Sequence, residues 1–254
     1  MLSMLLKNLV NLVVTVALWS YYIAGFILFY SFFYLHAFFF SSRREDAFQK
    51  LNQRLHLRFF SLMRIIIPRA QWKISEDVSS IRSSIIIANH LSFLDPILFV
   101  SLFEKQKTIV KHKYFSVPVF GWILKQSGYV PSTTDGLFTE SMMHQLKYAK
   151  DYLAGGGNLF IFPEGTRSLD GELHPFDKGA FRIARLCGAP IKVVSIKNTN
   201  KLYPPGAFLF NSSDSMTVEM KLAGSFHPDY GSTEFSLSGL MTDTRDVLKS
   251  NMQL

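Results

Sequence analysis

His90 and Asp95, a histidine and an aspartate five positions apart, are the first residues whose types and spacing could do chemistry. A neutral imidazole held by a carboxylate can take a proton from a hydroxyl, while the carboxylate fixes the tautomer and stabilises the imidazolium. Such a pair, without a protein nucleophile, suits attack of a substrate hydroxyl on an activated ester or thioester. On one continuous helix the two side chains would lie about 140° apart, so the chain must turn between them.

The elements around this pair predict how it is positioned. The block NHLSFLDP, residues 89–96, directly follows SIIIA at 84–88, a short β-branched run typical of a buried strand. Asp95 is a good N-cap and Pro96 is favoured at the first helical position, so we expect a helix to begin there. Open α/β sheets bind ligands at such strand ends. The spacing alone also fits a helix-capping aspartate beside a hydrogen-bonded turn histidine.

A second block with chemical potential is FPEGTRS, residues 162–168, which leaves the end of another apolar run, NLFIF at 158–162. A loop with Gly165, Thr166 and Arg167 can bind a phosphate through backbone amides and a bidentate guanidinium. Taken alone, the block is equally compatible with a capped turn that carries a solvent-exposed arginine.

From about residue 80 onward, short apolar runs alternate with helical periodicity, which predicts one α/β domain. Three glycines at 155–157 are expected to end a helix, and Gly188 another. The predicted strands are 84–88, 108–111, 129–131, 158–162, 191–196 and 216–222, and the predicted helices are 138–153, 178–186 and about 234–250.

The N-terminal run at 8–40 contains no Lys, Arg, Asp or Glu. It is longer than the roughly 20 residues that a helix needs to span a bilayer. It is therefore expected to be either one tilted helix with an interfacial end or two shorter helices that fold back near Gly25 without fully crossing. A cleaved signal peptide is disfavoured because the run is too long and no small-residue cleavage site follows it.

A basic segment follows this run, whereas only Lys7 precedes it. By the positive-inside rule, the downstream domain is expected on the cytoplasmic face of a membrane, a bacterial inner membrane or its equivalent. We therefore predict membrane-embedded helices and a basic juxtamembrane segment at 1–70, and a catalytic domain at 71–254. The stretch 59–67 is either a helix lying against the interface or a core helix of the domain.

Charge and cysteine content narrow the function classes. The net charge of +8 and the pI of about 9.5 suit work beside anionic phosphate groups. No motif of a nucleic-acid-binding fold accompanies the charge, so nucleic acid is not an expected partner. The single cysteine, Cys187, lies in an apolar stretch, which predicts an inert buried thiol and a reducing compartment. The other histidines show no spacing typical of a metal site.

Together, the blocks resemble those of the glycerophospholipid acyltransferases, a family that includes the lysophosphatidic acid acyltransferases. The family's blocks appear here in order as NHLSFLD, KHKYFSVPVFGWILKQSG, FPEGTRS and APIKVVSI, over about residues 80–200. The resemblance implies a mixed β-sheet flanked by helices, with an N-terminal membrane-embedded helical segment. It also implies transfer of a fatty acyl group from acyl-CoA or acyl carrier protein to the free hydroxyl of a lysophospholipid, foremost 1-acyl-sn-glycerol-3-phosphate, to give phosphatidic acid.

The same resemblance assigns roles to individual residues. His90 becomes the general base and Asp95 its orienting partner. No metal or bound cofactor is implied. The residues implied in substrate binding are Lys111, Lys113, Glu164, Gly165, Thr166 and Arg167, with Arg167 the leading phosphate ligand and Lys111 at the position of a phosphate-contacting lysine.

One departure from the family pattern concerns the acceptor. Many relatives carry an Asp-Arg pair after the equivalent of Gly128, and here Thr133 and Thr134 stand at those positions. Either the lysines and Arg167 bind the headgroup between them, or the acceptor is a lysolipid with another headgroup. A transacylase that takes its acyl group from a phospholipid and a non-catalytic membrane scaffold are the remaining alternatives.

Overall fold

The computed structural model describes residues 2–132 and 148–253 of the chain. Within these residues the chain forms a seven-stranded sheet in the order β1-β7-β6-β2-β5-β3-β4. All neighbouring strands are parallel except β6 and β7, which are antiparallel, so the predicted mixed α/β sheet is confirmed. The strands are β1 Ala70–Ile74, β2 Ile85–Ala88, β3 Gln106–Lys111, β4 Val130–Ser132, β5 Asn158–Ile161, β6 Ile191–Lys197 and β7 Met216–Phe226.

Helices precede the sheet and cover both of its faces. Gly188, at φ 59°, ends the helix before β6 in the left-handed conformation that glycine adopts without strain. The α-helices are α1 Leu2–Gly25, α2 Ser31–Phe40, α3 Arg44–Ile66, α4 Glu76–Ser79, α5 Leu94–Leu102, α6 Phe120–Gln126, α7 Ala149–Ala154, α8 Gly179–Cys187, α9 Thr199–Leu202 and α10 Leu237–Gln253; Phe26–Tyr30 is π-helical and His112–Ser116 is a 3-10 helix.

Each predicted strand and helix has a counterpart, but one strand was not predicted. Strand β1 pairs in parallel with β7, which lies far along the chain. Its sequence, AQWKI, alternates over too few residues to stand out. The predicted helix 138–153 falls mainly at 133–147, outside the described residues, and only its end is seen, as α7.

The sheet separates two apolar cores because successive strand residues point to opposite faces. Ile86 of β2 packs in one cluster with Phe59 of α3 and Phe99 of α5. Its neighbour Ile85 packs in the other cluster with Phe181 of α8. Of the two alternatives for the stretch 59–67, the structure therefore shows a core helix.

The N-terminal run is helical without a reversal at Gly25, which has helical angles of −58° and −42°. In the described part of the chain, Met4–Phe40 is the single helix long and apolar enough to cross a membrane by length and composition. Polar side chains at intervals along it contact either the loop before β7 or helix α3. These contacts are Lys7 to Asp214 at 3.1 Å, Asn11 to Ser212 at 2.8 Å, Tyr22 to His56 at 3.0 Å and Tyr34 to Asn52 at 2.6 Å.

Candidate active site

The loop after β2 is fixed by Asn89, whose side chain is fully buried. Its amide donates to the carbonyl oxygen of Ile196 at 2.9 Å, and its oxygen accepts the backbone N–H of the same residue at 2.8 Å. A buried amide paired in this way holds the ends of β2 and β6 together. His90 therefore leaves the sheet at its carboxyl edge.

His90 and Asp95 are in contact. Nδ1 of His90 lies 3.0 Å from Oδ2 of Asp95, whose side chain is fully buried. The same oxygen accepts the backbone N–H groups of Leu91 at 2.6 Å and Ser92 at 2.7 Å. A carboxylate with these partners is fixed in position, and its contact with Nδ1 leaves Nε2 of the neutral ring as the proton acceptor.

The capping role predicted for Asp95 is wrong in detail. Helix α5 begins at Leu94, so Asp95 lies inside the first turn, and the N-cap is Phe93. The carboxylate instead turns back to the loop that carries the histidine, where it accepts the N–H groups of Leu91 and Ser92. Ser92 supports the helix start: its hydroxyl accepts the Leu94 N–H at 3.3 Å and donates to the Tyr203 carbonyl oxygen at 2.7 Å.

The imidazole of His90 is held from a second side by Phe162. The two rings stack at 4.2 Å between centroids with an interplanar angle of 20°. The His90 side chain is 16% exposed. Among the described residues, Nε2 has no hydrogen-bond partner, so the ring is oriented while its reactive nitrogen is available.

The FPEGTRS block forms a loop that returns to His90. The Gly165 N–H donates to the Phe162 carbonyl oxygen at 3.1 Å, and Gly165 has a φ of 66°, which favours glycine. Three residues after Gly165, the Ser168 N–H donates to the carbonyl oxygen of His90 at 2.8 Å. The two sequence blocks are therefore neighbours in space, as their strand-end positions predict.

Glu164 joins this loop to the rest of the site. Its Oε1 accepts the backbone N–H of His90 at 2.9 Å, and its Oε2 accepts that of His174 at 3.0 Å. Burial raises the pKa of the Glu164 carboxyl, while the two N–H groups act in the opposite direction. Both oxygens are occupied by the protein's own backbone, so this carboxylate acts as a clamp between two loops.

Arg167 and Thr166 are exposed at the tip of the loop. They line a cavity of about 400 Å³ together with Leu169, Asp170 and His174. Arg167 is also near Tyr203: burial raises the pKa of the Tyr203 hydroxyl, and the Arg167 guanidinium lowers it. Arg167 therefore lies near both the cavity and the residue whose carbonyl oxygen Ser92 contacts.

The two candidate lysines lie along the same edge of the sheet. Strand β3 runs parallel to β5 with Thr108 opposite Phe160, which brings Lys111 to the edge that carries the FPEGTRS loop. Lys113 follows in the 3-10 helix, with its ammonium 5.3 Å from the ring centre of Tyr114. Both lysines are exposed. Thr133 and Thr134, the departure from the family pattern, lie outside the described residues.

Several residues that shape this site have no role in the sequence-based prediction. Asn89 stands directly after an apolar strand, and a polar residue there signals a buried hydrogen bond. Phe162 and Ser92 carry no such signal, because their partners are distant in the chain. The side-chain partner of His174 is only four residues away, but its link to Glu164 is through the backbone, which no residue type signals. In the described residues no group of three His, Cys, Asp or Glu could hold a metal. Burial raises the pKa of the Cys187 thiol to about 11, so the thiol stays protonated at neutral pH.

Comparisons with known proteins agree on one family. A family model described as Acyltransferase matches residues 69–197. The chloroplastic 1-acyl-sn-glycerol-3-phosphate acyltransferase BAT2 of Brassica napus is 37% identical over 177 residues, which cover 69% of this chain and 48% of that protein. A 1-acyl-sn-glycerol-3-phosphate acyltransferase of Saccharomyces cerevisiae is 31% identical over 169 residues, 64% of this chain and 55% of that protein. The chain thus spans about half the length of these curated relatives.

A solved structure is similar along nearly the whole chain. It is the crystal structure of the 1-acyl-sn-glycerophosphate (LPA) acyltransferase PlsC from Thermotoga maritima, with a TM-score of 0.71 and 25% sequence identity. The similarity covers 96% of this chain and 96% of that one. It therefore includes the N-terminal helices as well as the sheet.

Proposed function

Because this chain belongs to the acyltransferase family, we propose that it transfers a fatty acyl group from acyl-CoA or acyl carrier protein to the free hydroxyl of 1-acyl-sn-glycerol-3-phosphate, giving phosphatidic acid. The observation that carries the proposal is the contact between Nδ1 of His90 and the buried Asp95 carboxylate at 3.0 Å. It orients the opposite nitrogen toward a substrate. The curated relatives and the solved structure are named for this reaction, which supports the same choice of acceptor.

In the proposed reaction, Nε2 of His90 takes the proton of the acceptor hydroxyl while its oxygen attacks the thioester carbonyl carbon. Asp95 stabilises the imidazolium that forms. The tetrahedral intermediate then expels the thiolate, which takes the proton from the imidazolium, so that the free thiol leaves and His90 is neutral again. The acceptor oxygen attacks directly, without an acylated residue of the protein, and the step requires no metal or bound cofactor.

The headgroup of the acceptor is assigned to the FPEGTRS loop. Arg167 can form two parallel hydrogen bonds to a phosphate, and Thr166 adds a hydroxyl beside it. Gly165 forms the turn on which both side chains stand. Lys111 and Lys113 supply further positive charge along the same edge of the sheet.

A panel of acceptors tests this function directly. Purified protein is mixed with oleoyl-CoA or oleoyl-acyl carrier protein and one of several lysolipids, and the products are identified by mass. We expect phosphatidic acid from the 1-acyl-sn-glycerol-3-phosphate reaction to form fastest. Faster turnover of a lysolipid with another headgroup, or transfer from a phospholipid donor, would replace the proposed substrate, and absence of any transfer would favour the scaffold.

We further propose that residues 1–70 attach the protein to one leaflet of a membrane, while residues 71–254 carry catalysis on the cytoplasmic side. A helix of 37 residues, Met4–Phe40, is about 56 Å long, well beyond a hydrocarbon core of about 30 Å. Lys7 near one end contacts Asp214 of the catalytic domain. Tyr34 near the other end contacts Asn52 of α3, the helix that packs into the core of that domain. If this helix crossed the bilayer perpendicular to its plane, the parts of the protein that contact it would have to enter the lipid. We therefore favour a helix that lies along the membrane surface.

The outward face of this helix supplies the apolar contact with lipid. Leu28 is 70% exposed and Phe32 is 67% exposed. The double variant Leu28→Glu and Phe32→Glu should stop floating with phosphatidylglycerol vesicles in a density gradient, because two charges would enter the lipid phase. Unchanged flotation of a folded double variant would contradict attachment through this face.

A further inference from the structure

A second His–Asp pair stands beside Arg167, in the loop between β5 and α8. Nε2 of His174 lies 3.1 Å from Oδ1 of Asp170, and both side chains are substantially exposed, at 42% and 57%. The same Asp170 oxygen accepts the Ser168 hydroxyl at 2.8 Å and the Glu172 N–H at 3.0 Å. These bonds order the loop and hold the imidazole in one place.

The pair lies on the cavity that also holds Arg167. The lining residues of this cavity, about 400 Å³ in volume, are Thr166, Arg167, Leu169, Asp170 and His174. The carboxylate of Glu164 accepts the backbone N–H of His174 on one oxygen and that of His90 on the other. Through this shared clamp, the cavity is held in a fixed relation to the nitrogen assigned as the base.

The chemistry of the cavity suits a phosphate monoester better than a diester. A phosphate monoester carries about −1.5 to −2 charge at neutral pH, so one guanidinium leaves part of the charge uncompensated. Nε2 of His174 contacts Asp170, which leaves Nδ1 as the ring nitrogen that can donate to a phosphate oxygen, and a ring that donates from both nitrogens is the imidazolium. Asp170 keeps its charge at the cavity, but its Oδ1 is held by the Ser168 hydroxyl, the Glu172 N–H and Nε2 of His174.

We propose that His174 is the second phosphate ligand of the acceptor site, which binds the monoester headgroup together with Arg167. The assignment rests on the proposed acyl transfer to 1-acyl-sn-glycerol-3-phosphate and names the group that supplies the second positive charge. Asp170 is a positioning residue that holds the imidazole, and Ser168 holds Asp170.

The test replaces the charge of His174 and then restores it. In His174→Gln the side chain can still donate to Asp170 but carries no charge, whereas His174→Arg brings the charge back. The Michaelis constants for 1-oleoyl-sn-glycerol 3-phosphate and for oleoyl-CoA are measured for both variants. The control is His227→Gln, since His227 is exposed and follows Phe226, which pairs with Ile191 at the opposite edge of the sheet.

For His174→Gln we expect the acceptor KM to rise about tenfold, with kcat and the oleoyl-CoA KM within about twofold of wild type. His174→Arg should recover most of the acceptor affinity, and the control should match wild type. An unchanged acceptor KM, an equal rise in both KM values, or no recovery with arginine would overturn the assignment in an active wild-type background. A wild-type protein that transfers no acyl group to this acceptor would instead overturn the proposed function, and the assignment with it.

Discussion

The two His–Asp pairs of this molecule have almost the same nitrogen–oxygen distance and very different surroundings. His90 and Asp95 are 3.0 Å apart, and His174 and Asp170 are 3.1 Å apart. Asp95 is fully buried and His90 is 16% exposed, whereas His174 and Asp170 are 42% and 57% exposed. An exposed pair contributes little to stability and is screened by salt. Burial and backbone hydrogen bonds, rather than distance, therefore distinguish a candidate base from a candidate ligand.

Neutralising each aspartate in turn should separate the two pairs by the largest effect. Asp95→Asn should lower kcat about 1,000-fold, because a neutral amide no longer stabilises the imidazolium that forms in the reaction. Asp170→Asn should change kcat less than about threefold, because its partner binds the headgroup and transfers no proton. Initial rates at saturating oleoyl-CoA and acceptor measure both, with thermal unfolding as the control for folding. Similar losses in the two variants would remove the distinction between the pairs.

The shared clamp offers a second, smaller test. Glu164→Gln leaves one carbonyl oxygen for two backbone N–H groups, so either His90 or His174 loses its acceptor. A buried donor without a partner costs about 1–3 kcal/mol, which predicts a loss of roughly tenfold or more in kcat/KM, spread over kcat and the acceptor KM. Glu172→Gln, in the same loop and exposed, is the matched control. A change confined to the acceptor KM would instead make Glu164 a direct ligand of the substrate.

The smallest expected effect concerns the ring that stacks on only one of the two histidines. Phe162→Leu removes the aromatic face that lies 4.2 Å from the His90 ring centre while keeping an apolar side chain. A stacked pair contributes about 0.5–1.5 kcal/mol, so kcat should fall roughly threefold to tenfold, with the acceptor KM unchanged. Steady-state kinetics with the acceptor varied separates the two constants. A rise in the acceptor KM alone would show that Phe162 serves binding rather than the orientation of the base.

Much of the catalytic fold follows from local sequence patterns. Short apolar runs predict the strands at 84–88, 158–162 and 191–196, and the structure has them at Ile85–Ala88, Asn158–Ile161 and Ile191–Lys197. These strands are buried on both faces, so their composition is nearly independent of their partners. Strand β1 escapes prediction because it is short and half exposed, and its pairing partner β7 is distant in sequence.

The sequence predicts the site residues that directly follow a buried strand. It does not predict those whose position depends on contacts that no sequence pattern shows. His90 and Arg167 follow buried strands, so the sequence brings their loops to one edge. The position of Asp95 within the first helical turn depends on the N–H groups of Leu91 and Ser92, which no spacing rule reveals. His174 joins the site only through Glu164 and the cavity, and the sequence gives no sign of that contact.

The sequence also leaves undecided whether the N-terminal run forms one helix or two. A helix that is apolar on nearly all sides has no periodicity to show which face is buried. The choice between one helix and two depends on contacts such as that of Lys7 with Asp214, a residue 207 positions further along the chain. The run stays helical through Gly25 and continues as the π-helical segment Phe26–Tyr30.

The most direct test of His90 as the catalytic base compares the two histidines under the same substitution. His90→Gln and His174→Gln are assayed side by side with radiolabelled oleoyl-CoA and saturating 1-oleoyl-sn-glycerol 3-phosphate, and the labelled phosphatidic acid is counted. His90→Gln should lose activity by about 1,000-fold or more, because the proton acceptor is gone. His174→Gln should keep kcat within about twofold of wild type. A folded His90→Gln variant that transfers acyl groups as fast as wild type would contradict the assignment of His90 as the base.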